Sequence, residues 1–189
     1  MSRKQSIVAL MMFGVLTWVS STAIAAESAK PPAVGQKAPD FALQTPGGER
    51  MELSKVLADG PVVLVVLRGW PGYQCPFCTK QVGEFVGRAA DLDKAGARVV
   101  LVYPGPADKL KEHAEEFAHD KGMPAGFHFL IDPDYAFTNQ YGLRWEAKGE
   151  TAYPSTFVID RDATVRFAKV SKGHGDRASV AEVLKALGK

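Results

Sequence analysis

The sequence predicts an α/β domain in three layers, with helices on both sides of a central mixed sheet, and three observations carry that reading. The run at 61–67 (PVVLVVL) is continuously apolar and rich in valine, which fits a central strand buried on both faces. Strand-like and helix-like segments alternate along the chain, as layered α/β domains require. The 189-residue chain, even without its first 25 residues, is long enough for one domain with its own core.

The N-terminus bears on compartment. Arg3 and Lys4 precede an apolar stretch at 7–19, and Ala23 and Ala25 stand in A-x-A spacing. That is the order of a signal peptide cleaved after Ala25. The apolar stretch falls short of the ~20 residues of a spanning helix. A periplasmic or secreted protein without stable membrane insertion after cleavage is therefore expected, in a setting where cysteine pairs can oxidise. Residues 26–36 then read as a flexible leader, and 37–189 as one domain.

Within that domain, 40–44 is a short strand candidate, followed by a Pro-Gly-Gly turn at 46–48 and a short segment at 51–57. After the central run, 76–94 reads as one helix, because Val82, Phe85, Val86, Ala89 and Leu92 recur at spacings of three and four. Ala95-Gly96 ends it, and 98–103 (RVVLVY) is the next strand. A second helix spans 108–121, with Leu110, Ala114, Phe117 and Ala118 on one face. A strand at 127–131, a helical turn at 135–141, two strands at 156–159 and 165–170, and a closing helix at 179–187 complete the order.

Loss of residues 1–25 would remove two of the 23 basic residues and no acidic one, leaving 21 against 21. Neutral, dispersed charge argues against nucleic acid as a partner, which demands a basic excess.

The only two cysteines lie in GWPGYQCPFCTK, three apart, between the central strand and the first long helix. Pro76 suits the first helical position, where its missing N–H has no partner to lose. Cys75 then falls at the N-cap and Cys78 in the first turn. Free N–H groups and the helix dipole favour a thiolate at that end. A structural disulfide closing so small a loop constrains the unfolded chain little. Zinc needs further ligands, and His113, His119, His128 and His174 are not spaced to supply them. Thr79 stands where a c-type haem motif needs histidine. A redox-active pair needing no cofactor and no metal is the reading left.

The C-x-x-C at a strand-to-helix junction, with YPSTFVID some 75 residues later, resembles the thioredoxin superfamily. Further stretches, VGQKAPDFALQTPGGERMELSKVL, FLIDPDYAFTNQYGL and STFVIDRDATVRF, resemble the redoxin group that includes alkyl hydroperoxide reductase, thiol-specific antioxidant proteins and peroxiredoxins. The resemblance runs over about 33–187 and implies a thioredoxin-like fold with a redoxin N-terminal hairpin. It also implies that Pro154 matches the superfamily's cis-proline opposite the active site.

Two branches of that superfamily assign the sulfurs opposite roles. As a disulfide oxidoreductase, Cys75 would attack and Cys78 resolve. As a peroxiredoxin, Cys78 occupies the peroxidatic position counted from Pro71 and Cys75 resolves, standing where the family has threonine. The family's second arginine is replaced by Tyr153-Pro154, and Gln81 stands where a proton-relaying glutamate is common. Arg68 and Arg144 read as rim charges, and His174 as a surface-loop histidine. These departures favour thiol–disulfide exchange, with protein disulfides or hydroperoxides as substrates and a thiol electron donor. Trp70, Tyr73 and Phe77 are candidates for an apolar collar that docks substrate beside Tyr153 and Pro154. A copper-holding assembly factor using Met123 is a third possibility.

Overall fold

The computed structural model describes residues 29–189; the signal peptide expected at 1–25 lies outside the described residues. Among these residues seven strands form one sheet: β1 (Ala42–Gln44), β2 (Arg50–Glu52), β3 (Val62–Val66), β4 (Arg98–Gly105), β5 (Phe127–Pro133), β6 (Ser155–Ile159) and β7 (Val165–Val170). Their spatial order is β2-β1-β5-β4-β3-β6-β7. β3, β4 and β5 run parallel, while β6, β7 and the β1–β2 hairpin are antiparallel to their neighbours. This is the mixed sheet expected, with the N-terminal hairpin on one edge.

Among the described residues six helices cover it: α1 (Leu53–Asp59), α2 (Pro76–Gly87), α3 (Ala89–Lys94), α4 (Leu110–Ala118), α5 (Ala136–Gln140) and α6 (Val180–Ala186). All five residues of β3 are buried, and they alternate between two cores. Val62, Leu64 and Val66 join Phe41, Leu53, Phe137 and Tyr141 on the side of α1 and α5. Val63 and Val65 join Val82, Phe85, Leu110, Phe117 and Val183 on the side of α2, α4 and α6. Both cysteines belong to the second core.

Two expectations change here. The helix expected over 76–94 is two helices, because Arg88 leaves helical geometry at φ −114°, ψ 21°. Gly87, a poor helix residue, precedes the break, and the bend lets Leu92 turn into the core. The leader expected over 26–36 is anchored in its described part: Gly35 N–H donates to Val165 O at 2.8 Å and Val165 N–H to Gln36 O at 2.9 Å. Backbone pairing to β7 outweighs the Pro-rich composition.

The carboxyl ends of β3 and β4 meet beside the start of α2, the edge where open α/β sheets place their chemistry. Gly69 just beyond β3 has φ +74°, and any Cβ there would strike the Pro104 carbonyl. That close approach is sealed by Trp70 N–H donating to Pro104 O at 2.9 Å.

Candidate active site

Cys75 is the N-cap of α2 and Pro76 its first residue; Thr79 N–H donates to Cys75 O at 3.1 Å, the first bond of the helix. Both cysteines are reduced and buried. Arg68, just beyond β3, donates its backbone N–H to Cys78 Sγ at 3.3 Å.

The two thiols are driven apart in acidity. The Cys78 thiol hydrogen-bonds to Cys75, which lowers the Cys75 pKa most; burial opposes this. The N–H of Cys78, the Arg177 guanidinium and the N–H of Phe77 lower it further, to about 5. Cys75 makes no close capping hydrogen bond, so the N–H groups act as helix-end dipoles rather than as a formal cap. Burial pushes Cys78 well above its ordinary value, and its bond to Cys75 adds to this, with Arg177 opposing. Of the two thiols, Cys75 is the one whose thiolate is favoured, and Cys78 the one held protonated by burial.

Arg177 comes from the loop before α6. Its Nη2 lies 3.8 Å from Cys75 Sγ and 3.5 Å from Cys78 Sγ, Nη1 donates to Gln81 Oε1 at 2.9 Å, and Nε to His174 O at 2.8 Å. Nothing in the sequence marks it, because 102 and 99 residues separate it from the two cysteines. Gln81 is buried and acts as an acceptor that orients this guanidinium, a role its amide oxygen fills without a charge.

Several residues stand differently from expectation. Arg68 is no rim charge: its side chain is 3% exposed and pairs with Glu150 at 2.6 Å. Burial lowers the Arg68 pKa, but its bonds to Glu150 and Tyr73 outweigh that and the net direction is upward. Arg144 lies over the Tyr135 ring at 4.0 Å and donates to the carbonyls of Trp145, Glu150 and Thr151, bracing a loop. His174 is tied down, with Nε2 3.0 Å from Glu150 Oε1.

The expected collar is partial. Tyr73, two residues before the motif, and Phe77, between its cysteines, are 48% and 46% exposed. Trp70 instead stacks on His113 at 3.6 Å, as an apolar ring at a strand end tends to do. Tyr153 stacks on Trp145 at 4.7 Å. The cis-proline is corrected: every peptide bond among the described residues is trans, including the one before Pro154. Trans is the intrinsically preferred form, and Ser171 N–H to Pro154 O at 2.9 Å holds the entry to β6. Among the described residues no cluster of three His, Cys, Asp or Glu forms a metal site, and Met123 packs against the second core.

A dithiol at a helix start, on a thioredoxin-like sheet and faced by a guanidinium, defines a thiol-dependent oxidoreductase. The chain belongs to the AhpC/TSA family, which matches residues 34–168. It is 32% identical over 137 residues to a Coxiella burnetii relative that bears the name peroxiredoxin bcp, spanning 70% of this chain and 84% of that one. The crystal structure of peroxidoxin BcpB from Mycobacterium tuberculosis superposes with a TM-score of 0.66 at 28% identity, covering 83% of this chain and 97% of that one. Reduced Prx3 from Vibrio vulnificus shares the fold at a TM-score of 0.67 and 20% identity, over 82% of this chain and 96% of its own.

Proposed function

We propose that this chain is a thiol peroxidase that reduces hydroperoxides with the Cys75–Cys78 pair and is recycled by a thiol electron donor. One observation carries the reading: a guanidinium, Arg177, reaches both sulfurs. The preference for disulfide exchange rests on three departures: Cys75 in place of threonine, the missing second arginine at Tyr153-Pro154, and Gln81 in place of a relaying glutamate. Arg177, reaching both sulfurs, supplies the missing cation and answers the second of these, and the peroxiredoxin relatives support the same reaction.

Cys75 carries the thiolate at rest and is the attacking sulfur in this reading, although the peroxiredoxin pattern counts to Cys78. The Cys75 thiolate attacks the terminal oxygen of ROOH. The O–O bond breaks, RO⁻ leaves and takes a proton from solvent, and Cys75 becomes a sulfenic acid. Arg177 stabilises the charge developing on the departing oxygen. Cys78 then displaces water from Cys75 to form the disulfide, and two equivalents of donor thiol restore the dithiol. Export is part of this proposal and rests on residues 1–25; the N-terminal mass of the protein recovered from the periplasm tests it.

The decisive measurement is single-turnover consumption of hydrogen peroxide by the reduced protein and by Cys75→Ser and Cys78→Ser. Cys78→Ser is expected to consume one equivalent and stop at sulfenic acid, while Cys75→Ser loses the fast reaction. The reverse pattern moves the attack to Cys78 and keeps the peroxidase. A wild-type protein no faster than a free thiol defeats the peroxidase. Disulfide exchange then becomes the reading, supported by the exposed Tyr73 before the motif and Phe77 within it.

A further inference from the structure

We infer that Glu150 is a positioning residue, whose carboxylate ties the end of β3 to the loop bearing Arg177 and so holds the guanidinium over the two sulfurs. Only the kinetic part of this inference rests on the peroxidase reading. Glu150 Oε2 accepts from Arg68 Nε at 2.6 Å and Oε1 pairs with His174 Nε2 at 3.0 Å. Its side chain is 12% exposed, and a carboxylate so enclosed, with one oxygen committed to each partner, is not a solvated surface charge.

Each partner leads back to the sulfurs. Arg68 is held further by Tyr73 Oη at 2.5 Å and Gly149 O at 2.7 Å, and its backbone N–H reaches Cys78 Sγ. His174 receives Arg177 Nε on its carbonyl, and Arg177 closes the circuit onto Cys75 and Cys78. The path Cys78, Arg68, Glu150, His174, Arg177 is thus a closed ring of contacts.

The loop reads Lys172-Gly173-His174-Gly175-Asp176, with two glycines that widen its backbone options. Ser171 Oγ to Asp176 O and Arg177 N–H to Gly175 O restrain its far end, and Glu150 fixes His174 in its middle. The charged and titratable groups that act on the pair are Arg177 from this loop, Tyr103 from β4 and Lys121 after α4, with Arg68 touching Cys78 through its backbone. Of the two basic groups acting by charge, Arg177 is the one within hydrogen-bonding range of the sulfurs.

The test uses the full reduced protein with Glu150→Gln, His174→Ala and His174→Gln, each also in an Arg177→Met background. Thiolate ultraviolet absorbance against pH is the primary readout, because it needs no peroxide. Glu150→Gln and His174→Ala are expected to raise the Cys75 titration midpoint by about one pH unit and to slow peroxide consumption roughly tenfold. His174→Gln, whose amide N–H can reach the same carboxylate, should restore the midpoint toward that of the wild type. In the Arg177→Met background the same changes should add nothing, since the group they position is gone.

An unmoved midpoint in folded His174→Ala overturns the inference, as does an equal shift with and without Arg177. Glu150→Gln strips a buried guanidinium of its counter-charge, so if that variant unfolds, the His174 pair alone decides. Should the wild type fail to reduce peroxide while the midpoints still move, the peroxidase reading falls and the positioning role stands.

Discussion

At the scale of single residues, the chemistry depends on where one negative charge settles between two sulfurs. Cys75 receives the helix-end N–H groups and the Cys78 thiol, whereas Cys78 is pressed into the core and gives up its hydrogen bond. Arg177 faces both. Its removal as Arg177→Met should raise the Cys75 midpoint and slow single-turnover peroxide reduction about a hundredfold, the scale of losing one charge-stabilising donor. Arg177→Lys should recover only part, because a point charge cannot hold Gln81, His174 and the sulfurs at once. Stopped-flow rates across pH check this, and Arg166→Met, which removes an exposed pair with Asp160 away from the sulfurs, should leave the rate unchanged.

At the scale of elements, α2 and α6 meet at the site while α5 packs on the opposite face of the sheet, and each is stabilised by local chemistry. α5 begins where the buried Asp132 carboxylate accepts the N–H groups of Phe137 and Thr138, both at 2.9 Å, and the Thr138 hydroxyl at 2.6 Å. Burial pushes the Asp132 pKa up, and those three bonds oppose it. α6 begins with a capping box between Ser179 and Glu182, two residues after Arg177. Ser179→Ala should cost about 1 kcal/mol, read as a lower urea midpoint with an unchanged slope. α2 is started by Pro76, which has no N–H to leave unpaired, and the N–H groups of Phe77 and Cys78 lower the Cys75 pKa although no side-chain cap is made.

At the scale of the whole molecule, the thiolate links redox state to stability. The folded pKa of Cys75 lies at about 5, below its ordinary 9.0, so the unfolded chain binds the extra proton over that window. Its contribution is complete above pH 9 and lost as pH falls toward 5. Cys78 is shifted upward, so its own contribution is lost only on the alkaline side. The reduced protein should therefore gain stability as pH rises from about 5.5 to 8, with a slope that at most reflects the loss of one bound proton. The disulfide form and reduced Cys75→Ser should lack that gain, which urea unfolding at several pH values measures.

The sequence by itself determined the layered α/β class, the buried central strand, the closing hairpin and helix, and the cysteine pair at a helix start. These follow from short-range patterns, namely continuous valines, spacings of three and four, and a proline at the first helical turn. Only the tertiary structure decided that Arg68 is buried, that Trp70 belongs to His113, and that Glu150, His174 and Arg177 converge on the sulfurs. Those contacts span 82 residues for Arg68 with Glu150 and 102 for Arg177 with Cys75. A charge has no periodicity to betray its partner, and its worth is set by the burial and geometry that the folded sheet imposes.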